Sequence, residues 1–526
     1  MILQAALALL LTLARDAGAD EPAAAVDNFE ESVSAWDLPA ARRALGGAPA
    51  GARRTAREGI LALYEGSYPE AERLLTQALA SGSLAEGSAE AIEAQHYLAL
   101  ARGSQRALGR PLIQSNPGGE VTIAFADPRD ALLAPYLFDA MDAARARLGA
   151  ELGVIPDHAV RIEILDDPAK LALVTPLTLD NIYATGTIGI TKYRRIVMVS
   201  PRVLLYGYPW LDTVVHEYVH YLLTIRTRNR APVWLQEGLA KLFEARWRSD
   251  TAPPLSAADQ RLLQRALVQD DLVTLAEMSP SVAMLPSQER AALAYAEVET
   301  MLGYLRERRG EPGINLILDA VRDGVDAEDA LAGAWGAPFA EFMGAWAAEM
   351  KRRTAGAGKS DAKLKERRFR DADDAGSTVD PALLGDVFSH LGGGAASQHA
   401  RLGVLLTLRG HRKAAAEQYE KARRVDAVSR RDPKLARRLG ELYLELDEPA
   451  KALPLLEIAA ADDPEQPNIA AAEGRARLRV GDREGARSAL ARALRVNPFI
   501  PSVHCDLATL AEREDEATRE RSLCRE

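Results

Sequence analysis

Thr213-Val214-Val215-His216-Glu217-Tyr218-Val219-His220 is the most informative stretch of this chain, and Trp234-Leu235-Gln236-Glu237-Gly238-Leu239-Ala240 is its companion. Only 8 histidines occur in 526 residues, yet His216 and His220 stand four apart with Glu217 directly after the first. Side chains at i and i+4 project from one face of a helix, so two imidazoles at this spacing can grip one metal ion. Glu217 is offset enough to reach a water on that metal. The pattern predicts a helix from about Trp210 to Ile225. Leu211, Val214, Val215, Tyr218 and Leu222 cluster on the side away from the histidines and should enter the core. After the turn Arg226–Pro232, Trp234, Leu235, Leu239, Leu242 and Phe243 form an apolar stripe at helical spacing. A second helix there, antiparallel to the first, can set the Glu237 carboxylate opposite the two imidazoles. Three protein ligands with an open fourth position describe a catalytic zinc, whereas a closed shell of four would be structural.

On these two motifs the chain resembles the gluzincin (peptidase MA-like) zinc metallopeptidases, in particular bacterial families whose third ligand lies in a W-L-x-E-G-L/F-A segment. The resemblance implies peptide-bond hydrolysis with one Zn2+ per chain, held by His216, His220 and Glu237. Glu217 is then the general base, taking the proton of a water that the metal acidifies towards a pKa of ~7. The resemblance also implies a tyrosine donor for the charge on the tetrahedral intermediate, downstream of the third ligand. Tyr295 is the first candidate and Tyr304 the second, and a core role fits either as well. Asp212 and Glu244 lie where a carboxylate can orient a metal-bound histidine, although a surface charge is the simpler reading of each. Lys241 occupies the position one turn after Glu237, where some members of the wider family carry an acidic orienter. In similar enzymes an extended peptide adds to an edge strand beside the metal. Ala184–Ile190 is the candidate edge, with Gly186 and Gly189 permitting close approach or marking turns. Arg226, Arg228 and Arg230 can attract acidic peptide, and equally can form a solvated loop.

Outside these motifs, composition bounds the remainder. A chain of 526 residues exceeds one compact core, and a net charge of -10 argues against a nucleic-acid surface. Ile2 to Leu13 is apolar but too short for a membrane span, and Ala17-Gly18-Ala19 supplies small residues for cleavage. Residues 1–19 therefore read as a signal peptide, despite the missing Lys or Arg ahead of the run. This predicts export to the periplasm or extracellular space with no span left after signal removal, and a membrane tether if the signal stays. In an oxidising compartment Cys505 and Cys524 can form one bridge, but two unpaired thiols fit the sequence equally.

Gly440, Ala452, Leu456, Ala459 and Pro464 recur 34 positions later as Gly474, Ala486, Leu490, Ala493 and Pro498. That period and those small residues resemble tetratricopeptide repeats, which stack paired helices and commonly bind other proteins. Gly403, Gly410, Ala415, Tyr419 and Ala422 mark an earlier copy, and Gly59, Gly66, Ala71, Leu75 and Ala78 a fainter one. Period-two alternation predicts strands at Glu120–Phe125, Val160–Leu165, Tyr183–Ile190 and Arg195–Val199. The expected fold is an α+β zincin-like metallopeptidase domain with flanking all-α tetratricopeptide (TPR) repeats, mainly helical overall. Its expected divisions are a signal peptide (1–19), a TPR-like helical region (27–112), the peptidase domain (119–353), a flexible charged linker (354–381) and a C-terminal TPR domain (382–526). The expected activity is that of an exported zinc metallopeptidase acting on peptide or protein, its repeats recruiting a protein substrate or partner. The alternatives are a catalytically silent TPR scaffold with a peptidase-like domain, and a metal hydrolase acting on another carbonyl.

Overall fold

The computed structural model describes residues 23–357, 364, 367–369, 388–391 and 394–524. The expected signal peptide and most of the expected linker lie outside them. Among the described residues no helix is long and apolar enough to cross a membrane. The described residues are mainly helical with one small sheet, and they form two compact units, those within 1–200 and 212–366 and those within 201–211 and 367–526.

In the first unit, helices α1 (Ala52–Tyr64), α2 (Tyr68–Ala80) and α3 (Ala89–Leu108) precede a five-stranded sheet. Its strands are β1 (Leu112–Ser115), β2 (Val121–Phe125), β3 (Val160–Leu165), β4 (Gly189–Lys192) and β5 (Arg195–Val199), in the order β1-β2-β3-β5-β4. The central β2, β3 and β5 run parallel, while the outer β1 and β4 run antiparallel to their neighbours. Every residue of β5 is buried, as expected of a central strand covered on both faces. Between the strands lie α4 (Ala134–Leu152), α5 (Pro168–Val174) and α6 (Leu179–Thr185).

Helix α6 corrects the strand expected at Tyr183–Ile190. Thr178 caps the helix reciprocally with Asn181, and Gly186 closes it in the left-handed region at φ 65°. These start and stop signals override the β-branched residues between them, so the strand begins only at Gly189. The edge strand β4 thus keeps Gly189 and Ile190 of the expected segment but not Ala184 or Gly186.

A buried charge network holds the N-terminal helices on the sheet. Arg195 Nη1 of β5 donates to Glu163 Oε2 of β3 at 3.0 Å, and both side chains are fully buried. Tyr68, at the start of α2, donates its hydroxyl to Glu163 and accepts from Arg195. Arg161 adds a 2.7 Å bond to Glu163, and Ser104 of α3 accepts from Arg195 at 3.0 Å. Burial pushes the Glu163 carboxyl up, but Arg195 and Arg161 outweigh it and leave it below its ordinary value. Residues 27–112 therefore pack in one unit with 119–200 and 212–353. The unit continues, from Asp212 on, through α7 (Trp210–Arg226), α8 (Val233–Phe243) and α9 (Gln288–Arg322), the last bent at Gly310.

The second unit is a row of helical hairpins: α10 (Ala395–Leu408) with α11 (Arg412–Arg424), α12 (Pro433–Glu445) with α13 (Pro449–Asp462), and α14 (Pro467–Arg479) with α15 (Arg483–Val496). A last pair, α16 (Pro501–Leu510) and α17 (Glu514–Leu523), is joined by a Cys505–Cys524 disulfide, which decides between the two cysteine readings. The recurring glycines mark where each hairpin is tightest. A Cβ at Gly440 would stand 2.8 Å from Leu456 Cγ, and one at Gly474 2.7 Å from Leu490 Cγ. The same offset recurs at Gly403, 2.8 Å from Tyr419 Cε1, and in the α1/α2 hairpin at Gly59, 2.7 Å from Leu75 Cγ. The alanines of the pattern, including Ala415, Ala452 and Ala486, are fully buried.

Candidate metal centre

Helix α7 runs over Trp210–Arg226, and Leu211, Val214, Val215, Tyr218 and Leu222 are all buried on it. Trp234, Leu235, Leu239, Leu242 and Phe243 are buried on α8. These stripes fix the roll of each helix and leave His216, His220 and Glu237 to meet. Gly238 shows how closely α8 is held: a Cβ there would stand 2.8 Å from the backbone oxygen of Val298 on α9. The glycine after Glu237 is therefore a packing requirement at a helix crossing.

The three side chains converge as the spacing predicts. His216 Nε2 and His220 Nε2 are 3.2 Å apart, and each lies 3.3 Å from Glu237 Oε2. Atoms at zinc-ligand distance in a tetrahedron, ~2.0–2.1 Å from its centre, stand about 3.3–3.4 Å from one another. The triangle therefore has the size that zinc requires, and its donors are the nitrogen and carboxylate oxygen atoms that zinc takes. Among the described residues it is the one group of at least three His, Cys, Asp or Glu residues that could hold a metal ion.

The surroundings assign roles that spacing alone left open. Glu244 Oε2 lies 3.1 Å from His216 Nδ1, so it orients that ring, and Lys241 Nζ donates to Glu244 Oε1 at 2.5 Å. A surface charge at Glu244 is thus the wrong reading. Lys241, one turn after Glu237, supports the orienter through that bond. Asp212 takes no part: it accepts from Arg248 at 2.7 Å and from the Trp247 indole at 2.8 Å. The Tyr295 ring lies edge-on to His216 with centroids 6.2 Å apart. Tyr304 belongs to the core, packed against Trp335 and Phe342. Arg226 and Arg230 are engaged by Asp319 and Glu31. Thr191 on β4, which sequence reasoning did not single out, donates to Glu217. Its strand lies 26 residues away from Glu217, and no local spacing links the two.

The electrostatics favour a cation at the triangle. Burial disfavours a charged His216, but Glu237 and Glu244 outweigh it and raise its pKa to about 9. Burial likewise opposes ionisation of Glu237 and Glu244. His220 and His216 nonetheless hold Glu237 far below the carboxylate range, and Lys241 with His216 holds Glu244 at about 2. A proton and a metal ion compete for the same nitrogen, so metal uptake there releases a proton. Burial raises the pKa of Glu217, against the pull of His220 and His216.

Residues 140–352 match the model of the Peptidase MA superfamily, which supports a peptidase MA-like domain over the stretch that carries α7, α8 and α9. The match supports a peptidase or peptidase-like domain, and the members of that superfamily are often zinc-dependent and include inactive ones. No curated protein matches the chain. Among solved structures, one titled "Structure of Naa15/Naa10 bound to HypK-THB" is similar at 16% identity and a TM-score of 0.19, over 95% of this chain. The chain spans 66% of that structure's chain.

Proposed function

We propose that this protein is an exported zinc-dependent metallopeptidase in which His216, His220 and Glu237 hold the metal and Glu217 is the general base. The observation that carries the proposal is the triangle of donor atoms 3.2–3.3 Å on a side, with Glu217 on the same helix between its two histidines. When bound, a zinc ion supplies Lewis acidity for the scissile carbonyl and for water. Glu217 takes the proton from the attacking water at its carboxylate and passes it to the leaving amide nitrogen. Glu244 accepts from His216 Nδ1–H, which keeps the Nε2 lone pair directed at the triangle. The Tyr295 hydroxyl, carried beside His216, donates to the carbonyl oxygen as its negative charge grows. Strand β4 is the end strand of the sheet, and an extended peptide adds along its outer edge.

Two further features extend the reading. The Cys505–Cys524 disulfide fits an oxidising compartment and so supports export. The hairpins of the second unit, with glycine set against the residue sixteen positions on, support tetratricopeptide repeats that recruit a protein substrate or partner.

Metal content by mass spectrometry tests the proposal, on wild type beside His216→Ala, Glu237→Ala and Glu217→Gln. One zinc per chain in wild type, lost in the first two variants and kept in the third, supports it. Glu217→Gln should then lose nearly all hydrolysis of labelled casein. Wild type that takes up no zinc even on reconstitution would favour a silent scaffold.

A further inference from the structure

Strand β4 passes directly over Glu217. Gly189 and Thr191 are two residues apart on it and so share one face. Thr191 Oγ1 lies 2.8 Å from Glu217 Oε2 and 2.7 Å from the Glu217 main-chain oxygen. The hydroxyl has one proton for two acceptors, and both belong to Glu217, so either bond ties β4 to that residue. Gly189 lies against the other carboxylate oxygen: a Cβ there would stand 3.1 Å from Oε1 and 3.2 Å from Cγ.

We propose that Thr191 and Gly189 are positioning residues for Glu217, the hydroxyl fixing Oε2 and the absent side chain reserving Oε1 as the oxygen that exchanges the proton. This rests on the reading of Glu217 as general base. The terminal torsion of a glutamate is broad and nearly two-fold, so the backbone of α7 alone does not select which oxygen faces the reacting water. A fixed donor on one oxygen does. Thr191 supplies that donor, its hydroxyl 2.8 Å from Glu217 Oε2. The Gly189 backbone is outside the left-handed region, so its glycine is explained by space beside Oε1 and not by conformation. The same short strand is the edge on which substrate is proposed to pair. One element then registers both the peptide backbone and the base that acts on it, which couples substrate alignment to proton transfer.

The test uses the full chain, zinc-loaded, with dye-labelled casein as the probe. Thr191→Val keeps the shape of the side chain and removes its donor. It should lower kcat about 10–100-fold, as expected for a base displaced by an ångström or less. KM and zinc content should stay within twofold of wild type, and Thr191→Ser should restore most of the rate. Gly189→Ala should lower kcat in the same way without loss of zinc. A second readout needs neither turnover nor metal: thermal unfolding of the zinc-free protein in a cycle of Thr191→Val, Glu217→Ala and the double variant. Thr191→Val should lower Tm by about 2–4 °C when Glu217 is present and by much less when it is absent. Wild-type kcat in Thr191→Val, or strictly additive Tm shifts, overturns the clamp. If wild type fails to turn over casein, or Glu217→Gln is fully active, the general-base reading fails instead. The cycle alone then decides whether β4 holds Glu217.

Discussion

Glu297 lies two residues beyond Tyr295 on α9 and is 3% exposed. Its Oε1 accepts the Val273 N–H at 3.0 Å. Burial pushes its carboxyl up to about 8 from an ordinary 4.5, and the Val273 N–H and Arg290 only partly offset this. The folded protein therefore keeps this proton until about pH 8, whereas the unfolded chain releases it near 4.5. Between those values the unfolded state binds fewer protons, so this group's contribution to stability falls as pH rises. At ~1.4 kcal/mol for each tenfold change in proton affinity, the loss between pH 5 and pH 8 is on the order of 3 kcal/mol. Glu297→Gln keeps an acceptor for Val273 and cannot ionise, so it lacks this slope. The variant and wild type should unfold at similar temperatures near pH 5 and diverge towards pH 8. For a unit of ~350 residues the divergence amounts to roughly 4 °C, with the variant higher. Differential scanning calorimetry across this pH range measures it, and parallel curves for the two proteins would refute the reasoning. The comparison also separates two sources of pH dependence in turnover, because an alkaline loss of activity caused by Glu297 must disappear in the variant.

Arg195→Met removes the main partner of fully buried Glu163 and should cost about 3–5 kcal/mol in urea unfolding; additional loss of the charge in Arg195→Met/Glu163→Leu should recover part of it. Glu244→Ala should weaken zinc binding about 10–100-fold in a chelator competition by releasing the His216 ring, and unchanged affinity would remove Glu244 as the orienter. Gly474→Ala should destabilise the second unit by about 1–3 kcal/mol, since its Cβ meets Leu490. Gly344→Ala, with open space around its Cβ, should stabilise the first by up to ~1 kcal/mol, and calorimetry distinguishes the two signs.

What was legible in the sequence was whatever one helix or one hairpin decides by itself. His216 and His220 share a face because the helix repeats every 3.6 residues, and the apolar stripe opposite them settles which way that face turns. The recurring glycines are legible for a similar reason: Gly440 and Gly474 sit where two consecutive helices cross, at an offset set by one short turn. The last turn of α6, Tyr183–Thr185, reads as strand because the decisive signals, the Thr178 cap and Gly186, lie at the helix ends while the residues between tolerate either structure. Glu244 and Asp212 were indistinguishable from spacing, since each is a carboxylate near a ligand on a helix face. Their roles diverge only because Arg248 and the Trp247 indole engage Asp212, while the α7–α8 packing carries Glu244 to His216. The contact of Thr191 with Glu217 is further still from local pattern, since it depends on where the sheet edge falls over α7. Ligand identity is thus local information and ligand orientation is long-range information. Replacing His216, His220 or Glu237 should abolish metal binding outright, whereas changes at Glu244, Thr191 or Gly189 should grade affinity and rate.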